Sequence, residues 1–183
     1  STGVFRTEEA ASAHIKAGAK RVIISAPSKG GDVPTYILGV NDKDLKKEKR
    51  AIVDNASCTT NCAAPVMSVL EEAFGVKKAM LSTIHAYTAT QKLQDGPHKD
   101  PRRARAAAMN VIPTTTGSAT STAKAIPSLK GKFDGMAFRV PVINGSVTDF
   151  TVVLKRKVTV EEVNKAFVKA SKTPRFKGKL ITS

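Results

Sequence analysis

Hydrophobic positions recur along this chain in two rhythms, separated by turn residues. Thr7-Glu8-Glu9-Ala10-Ala11 sets an N-cap hydroxyl and first-turn acids ahead of a helix that Gly18 stops. Arg21-Val22-Ile23-Ile24-Ser25 is a short apolar run bounded by Pro27 and Gly30-Gly31, which predicts a buried strand. A helix followed by an apolar strand is α/β alternation. Tyr36 to Val40 predicts a second strand, Asp42 to Arg50 a charged loop, and Ala51-Ile52-Val53 an apolar lead into the cysteine segment. From Ser57 a helix begins in which Val66, Val69, Leu70, Ala73 and Phe74 recur at i, i+3, i+4, i+7 and i+8, and Gly75 ends it. Ala79 to Tyr87 predicts a strand. Thr88 to Asn110 is polar, with Gly96, Pro97 and Pro101, and predicts a loop long enough to be functional or disordered. Thr116-Gly117 opens a helix running to about Leu129. Met136 to Val142 and Ser146 to Arg156 read as paired strands around Asn144-Gly145, a favoured hairpin turn. Thr159-Val160-Glu161-Glu162 is a capping box for a last helix to about Ser171. The second half is therefore α+β in character.

Composition narrows the class. Of 183 residues, 41% are apolar, enough for a packed core and too many for a disordered chain. That length suits one large domain, or one domain with a piece of a second. No uncharged apolar run approaches the roughly 20 residues of a membrane span, and no internal repeat is visible. The net charge of +15 points toward nucleic acid or phosphate-bearing partners. The basic residues are spread out, however, with only Arg102-Arg103-Ala104-Arg105 dense, and two Tyr, seven Phe and no Trp give few stacking platforms. Solvated faces explain the charge better than a nucleic-acid surface, which stays a secondary reading.

Cys58 and Cys62 are too few for a disulfide framework or a zinc site, and His14, His85 and His98 lack finger spacing, so no metal is expected. Free thiols suit a reducing compartment. Cys58 falls at a helix start, where unpaired N–H groups and the helix dipole favour a thiolate. Thr59 and Thr60 add hydroxyl donors, so the same helix end suits an oxyanion or phosphate. Cys62, one turn further in, reads as structural. His85 ends an apolar strand and is a candidate to take the thiol proton; His14 and His98 compete, and spacing does not choose among them. Thr114-Thr115-Thr116-Gly117 precedes a helix and forms a second hydroxyl-rich anion site. Arg102, Arg103, Arg105 and Arg139 could clamp phosphate. Arg139, inside the apolar run Met136 to Pro141, is the most suggestive because a charge there needs a partner.

The stretch Ala56-Ser57-Cys58-Thr59-Thr60-Asn61-Cys62-Ala63-Ala64-Pro65 resembles the phosphorylating glyceraldehyde-3-phosphate dehydrogenase family. Ser82 to Lys92, Asp95 to Asn110, Val111 to Gly117, Leu129 to Lys132 and Gly135 to Pro141 match it in the same order, and Ser1 to Phe5 with Ser25-Ala26-Pro27 match the end of its nucleotide-binding domain. The resemblance covers essentially the whole chain. It implies an α/β protein in which 1–57 is the C-terminal part of a Rossmann-type nucleotide-binding domain. Residues 58–183 would be an α+β catalytic domain with a mixed or antiparallel sheet. It implies too that a glycine-rich βαβ unit precedes Ser1, which would explain why no G-x-G-x-x-G occurs, and that a strand and helix follow Ser183.

By resemblance Cys58 is the nucleophile and His85 its base. Ser57, Thr59, Thr116 and Gly117 match the pocket of the attacking inorganic phosphate, and Thr88, Arg103 and Arg139 that of the substrate's own phosphate. Thr2, Gly3 and Ser25 match positions that contact NAD; the residue that would separate NAD from NADP lies upstream. Residues 87–110 match a loop that reaches a neighbour's cofactor in a homotetramer. The implied reaction is cytoplasmic and glycolytic. The thiolate adds to glyceraldehyde 3-phosphate, hydride passes to NAD, and phosphate releases the thioester as 1,3-bisphosphoglycerate. Val142 to Ser146, Ser118 to Thr122 and Lys29 to Pro34 depart from the family pattern without touching a matched catalytic position. The competing readings are an erythrose-4-phosphate dehydrogenase of the same superfamily, which hydrolyses its acyl-enzyme, and a basic nucleic-acid-binding module.

Overall fold

In the computed structural model the described residues are 4–183; Thr2 and Gly3, expected at the cofactor, lie outside them. Thr7 Oγ1 accepts from the Ala10 N–H at 3.1 Å and starts α1 (Glu8–Lys16). β1 (Val22–Ile24) runs parallel to β2 (Ile52–Asp54), and Ala11 of α1 packs on Ile24, Val33 and Ile52. This is the α/β arrangement expected of the first segment. The strand expected over Tyr36–Val40 does not form. Thr35 makes a single bridge to Asp54, after which Asn41 closes a turn: its Oδ1 accepts from the Ile37 N–H and its Nδ2 donates to the Thr35 carbonyl, both at 2.8 Å. A local amide has replaced ladder hydrogen bonds. The charged segment after it winds into a 3-10 turn, Asp42–Lys47, rather than an open loop.

α2 (Cys58–Phe74) carries Ser57 as its N-cap and ends at Gly75, whose φ of 68° suits a residue without a Cβ. β3 (Val76–Ala86), β4 (Ile112–Thr115), β5 (Phe133–Val140) and β6 (Ser146–Leu154) form one sheet in the order β4-β5-β3-β6. β5 lies parallel to β3 and antiparallel to β4, and β6 lies antiparallel to β3. The expected hairpin of β5 on β6 is therefore not made, because β3 inserts between them. Ala79, Leu81 and Thr83 of β3 are buried, and a strand so apolar is most stable with both edges paired and one face under helices. The Asn144-Gly145 turn is kept, and fastens to the end of β3 where the Ala86 N–H donates to the Gly145 carbonyl at 3.0 Å. β4 is an element that the hydrophobic pattern does not predict: its four residues lie in a Pro- and Thr-rich stretch with no alternation to mark it.

α3 (Ser118–Ala125) stops short of the expected Leu129, because Pro127 pulls Ile126 out of the helical region, and Pro127–Leu129 makes a 3-10 turn instead. α4 (Val160–Ser171) opens on the expected capping box of Thr159 and Glu162. The core lies where Met67, Leu70 and Phe74 of α2 meet Val76 and Leu81 of β3, Phe133 of β5 and Leu129, with Ala166 and Phe167 of α4 packed against it. β5 approaches β3 closely at Gly135, where an added Cβ would sit 2.5 Å from Leu81 Cγ. The opposite face of the sheet leaves Met80, Ile84, Val147 and Val153 exposed. No helix among the described residues is long and apolar enough to cross a membrane.

Candidate active site

Asp54 closes β2 and is only 2% exposed. Its Oδ1 accepts from the Ala56 N–H at 3.0 Å, and its Oδ2 accepts from the Ser28 N–H at 3.1 Å and Oγ at 2.7 Å. The carboxylate thereby holds Ala56 at φ 54°, a left-handed conformation that costs a side-chain-bearing residue roughly 1–2 kcal/mol. That bend directs the chain into α2. Ser57 Oγ accepts from the Thr60 N–H at 3.1 Å, and Asn61 Nδ2 donates to the carbonyls of Asn55 and Ser57 at 2.7 and 2.9 Å. Cys58 is then the first helical residue, exposed at the positive end of a 17-residue helix.

The sheet delivers the other half. Ala79, Leu81, Thr83 and His85 of β3 are in register with Phe133, Gly135, Ala137 and Arg139 of β5, and strand alternation sets both rows on the face that α2 covers. His85 and Arg139 end those rows beside the start of α2. Cys58 Sγ lies 3.5 Å from His85 Nε2. His85 Nδ1 is 2.7 Å from the Ala86 carbonyl oxygen and 2.7 Å from Arg139 Nη1, which also donates to that carbonyl at 3.0 Å. Of the three histidines His85 is the one the fold sets against a thiol: His14 packs tilted against Phe5, 4.6 Å between ring centres, and His98 Nδ1 accepts from the Asp100 N–H. Cys62 is exposed like Cys58, so what separates the two thiols is the imidazole and not burial.

Arg139 is half-buried. Burial pulls its guanidinium below the usual arginine value; negative charge on Cys58 opposes this, and the nearby Arg103 adds to it. Arg103 Nη2 donates to Thr115 Oγ1 at 3.1 Å, while its Nε is 3.8 Å from Asp100 Oδ2, beyond hydrogen-bond reach. Asp100 is engaged elsewhere: Arg102 donates to it and holds its carboxyl below the usual range. The Nε atoms of Arg103 and Arg139 are both buried without a hydrogen-bond partner. Two guanidinium groups so placed create a strong local demand for an oxyanion.

Thr59 is buried in the first turn of α2. Thr116 Oγ1 accepts from the Ser118 N–H at 3.2 Å, and Gly117 is the N-cap of α3 with no side chain to offer its first turn. Arg103 is tied to that corner through Thr115. Thr88 is exposed, its hydroxyl bonded to Thr90 Oγ1 at 2.9 Å and to Gln91 Oε1 at 3.2 Å. Ser25 is exposed directly after β1, beside a cavity of about 130 Å³ lined by Phe5, His14 and Ile24. Sequence reasoning missed Asp54 and Asp100, and named Thr115 only as part of a hydroxyl-rich run, not as the partner of Arg103. A lone Asp straight after an apolar strand, ahead of Asn-Ala-Ser, is the one signal that could have marked Asp54.

A helix-start thiol, an imidazole in contact with it and a guanidinium pair behind come together at one end of a mixed α/β domain. Residues 57–182 match the family described as glyceraldehyde 3-phosphate dehydrogenase, C-terminal domain, and the chain belongs to that family. It is 53% identical over 181 residues to the glyceraldehyde-3-phosphate dehydrogenase of Streptomyces coelicolor, covering 99% of this chain and 54% of the relative. It is 54% identical over 178 residues to that of Mycobacterium tuberculosis, covering 97% and 52%. A chloroplastic glyceraldehyde-3-phosphate dehydrogenase A of Scenedesmus vacuolatus is 53% identical over 170 residues, covering 93% and 54%. The chain spans about half the length of these curated relatives.

Proposed function

We propose that this protein carries out the phosphorylating oxidation of D-glyceraldehyde 3-phosphate to 1,3-bisphosphoglycerate, with NAD and inorganic phosphate, through a thioester at Cys58. The observation that carries the reading is Cys58 Sγ at 3.5 Å from His85 Nε2, with Arg139 on the far side of the ring. The α2 N-terminus favours the thiolate, which attacks the aldehyde carbon. His85 gives the resulting alkoxide a proton and takes it back as the carbon gives up its hydride, for which a bound nicotinamide would supply the acceptor, leaving the thioester. Arg139, Arg103 and Thr88 hold the substrate phosphate. Ser57, Thr59, Thr116 and Gly117, at the starts of α2 and α3, hold the attacking phosphate.

Ser25 and the Asn55–Cys58 segment lie at the carboxyl ends of two parallel strands, where dinucleotides bind in sheets of this kind, so the residues fit a nicotinamide cofactor on that side. When bound, the cofactor would supply the hydride acceptor. Thr2, Gly3 and Ser25 are the residues we assign to it, with NAD as the cofactor read from the resemblance and NADP not distinguished from it by this chain. The reading divides the chain into the end of a nucleotide domain at 1–57 and a catalytic domain at 58–183. A homotetramer is supported by the apolar sheet face of Met80, Ile84, Val147 and Val153. The two free thiols support the cytoplasm.

The deciding experiment is steady-state turnover of glyceraldehyde 3-phosphate with and without inorganic phosphate. Strict dependence on phosphate, with an acyl phosphate as product, is expected. Equal turnover without phosphate would favour the erythrose-4-phosphate dehydrogenase reading, whose acyl-enzyme goes to water.

A further inference from the structure

His85 Nδ1 has two partners with opposite demands. The Ala86 carbonyl oxygen, 2.7 Å away, only accepts, so that contact needs a proton on Nδ1. Arg139 Nη1, also 2.7 Å away, only donates, so that contact needs a lone pair there. One nitrogen cannot serve both. Whichever partner holds Nδ1 decides what Nε2 presents to Cys58 Sγ. With Arg139 on Nδ1, a neutral ring carries its proton on Nε2 and faces the sulfur as a donor. With Nδ1–H on the Ala86 carbonyl, Nε2 keeps its lone pair and can take a proton.

Arg139 controls the ring as it stands. Its Nη1 covers Nδ1 and the Ala86 carbonyl together, and an Nδ1–H here would point at a cation. The titratable and charged groups around the imidazole are the Cys58 thiol from α2 and Arg139 from β5, with Arg103 beyond it. On β6 the residue in register is Ser146, which does not titrate. Arg139 is also poised to leave. Its Nε and that of Arg103 are buried without hydrogen-bond partners, and an oxyanion between them would satisfy both and draw Arg139 off the ring.

We propose that Arg139 is a positioning residue acting through His85: it holds the ring in its Nε2–H form until an oxyanion engages the guanidinium, whereupon Nδ1–H passes to the Ala86 carbonyl and Nε2 becomes the base. One proton leaves Nε2 for water and one reaches Nδ1 from water, so the charge of the ring is unchanged. The inference rests on the reading of Cys58 and His85 as nucleophile and base, and deepens it. The substrate phosphate then acts on the rate of turnover and not on binding alone.

The test is 15N NMR of histidine-labelled protein at pH 8, where an unperturbed imidazole is neutral. The His85 signals are assigned by their loss in His85→Asn, and inorganic sulfate is the probe at constant ionic strength. The expected result is a protonated Nε2 without sulfate and a protonated Nδ1 at saturating sulfate. Arg139→Gln should show the Nδ1–H form under both conditions. A His85 that carries Nδ1–H without sulfate, one that ignores sulfate, or an Arg139→Gln spectrum like that of the parent overturns the switch. Iodoacetamide labelling separates the two levels. Cys58 labelled no faster than Cys62 defeats the functional reading and the switch with it, whereas a fast Cys58 beside a sulfate-insensitive His85 defeats the switch alone.

Discussion

The parallel pair β1-β2 and the four-stranded sheet are built to different depths. Each strand of the pair has three residues, and the buried cluster between it and α1 is Ala11, Ile24, Val33 and Ile52. Ile23, on the other side of β1, is 61% exposed. The larger sheet has an 11-residue central strand and three helices over one face. A two-stranded pair is marginal by itself, and this one leans on its larger neighbour. Ile37 and Ala56 pack with Ala64 and Ala125, and Arg175 donates to the Gly39 carbonyl while gripping Glu72 and Ser68. The site lies where the two regions join. The small one delivers Cys58 through Asp54 and Ala56, and the large one delivers His85 and Arg139 through strand register. Neither region holds the chemistry alone.

The largest effect expected is on the thiol at that junction. Cys58→Ser should abolish dehydrogenase activity, because a serine hydroxyl is a far weaker nucleophile than a thiolate at neutral pH. Cys62→Ser should keep most of it. Equal losses in steady-state assays would undo the distinction between the two cysteines.

Stability sharpens the contrast between the regions. Leu81 is fully buried in the central strand, and Leu81→Ala should cost about 2–5 kcal/mol in urea denaturation. Ile24→Ala should fall at or below the low end of that range, since its thin surroundings can collapse onto the cavity. A larger loss at Ile24 would show that the small region carries a core of its own.

Arg139→Ala removes a charge-assisted contact worth roughly 1.5–3 kcal/mol, so kcat/KM for glyceraldehyde 3-phosphate should drop by about 10–150-fold. Unphosphorylated glyceraldehyde should be largely spared. Thr116→Ala should instead raise KM for inorganic phosphate. If the arginine variant injures both aldehydes equally, Arg139 is a structural residue and the division into two anion pockets fails.

The smallest effect is a pH dependence confined to the small region. Hydrogen bonds from Arg50, with another from Tyr36, hold the Glu48 carboxyl at about 2, below the usual carboxylate range. Its folded value being depressed, the stabilisation is present above the ordinary carboxylate range. It is lost as pH falls from there through about 2. The protection of β2 amides, taken as exchange relative to the intrinsic rate at each pH, should therefore fall on acidification, and Glu48→Gln should flatten that response. A β2 whose exchange follows that of β3 at every pH would mean the two regions open together.

Much of the secondary structure was legible because local signals agreed with the fold. Thr7 and Thr159 cap the helices they were expected to cap, the helix expected from Ser57 starts there with Ser57 as its cap, and Gly75 ends α2. Two of the misreadings share one cause. Tyr36 to Val40 has strand-forming side chains, but Asn41 supplied a competing turn. Asn144-Gly145 has the chemistry of a hairpin, yet β3 took the place between the strands it joins. In both cases a preference spanning a few residues met a competitor that window did not contain.

The same boundary divides the site. The thiol, its place at a helix start, the hydroxyl-rich Thr114 to Gly117 and a charged residue inside an apolar strand are properties of contiguous residues, and the sequence by itself determined them. Which histidine meets Cys58, which arginine touches that histidine, and that Arg103 joins Thr115 rather than pairing fully with Asp100 were decided by tertiary structure. The reason is geometric. His85 and Arg139 are 54 residues apart in the chain and adjacent only because parallel β3 and β5 pair in one register, and a slip of one residue would have turned either side chain to the opposite face.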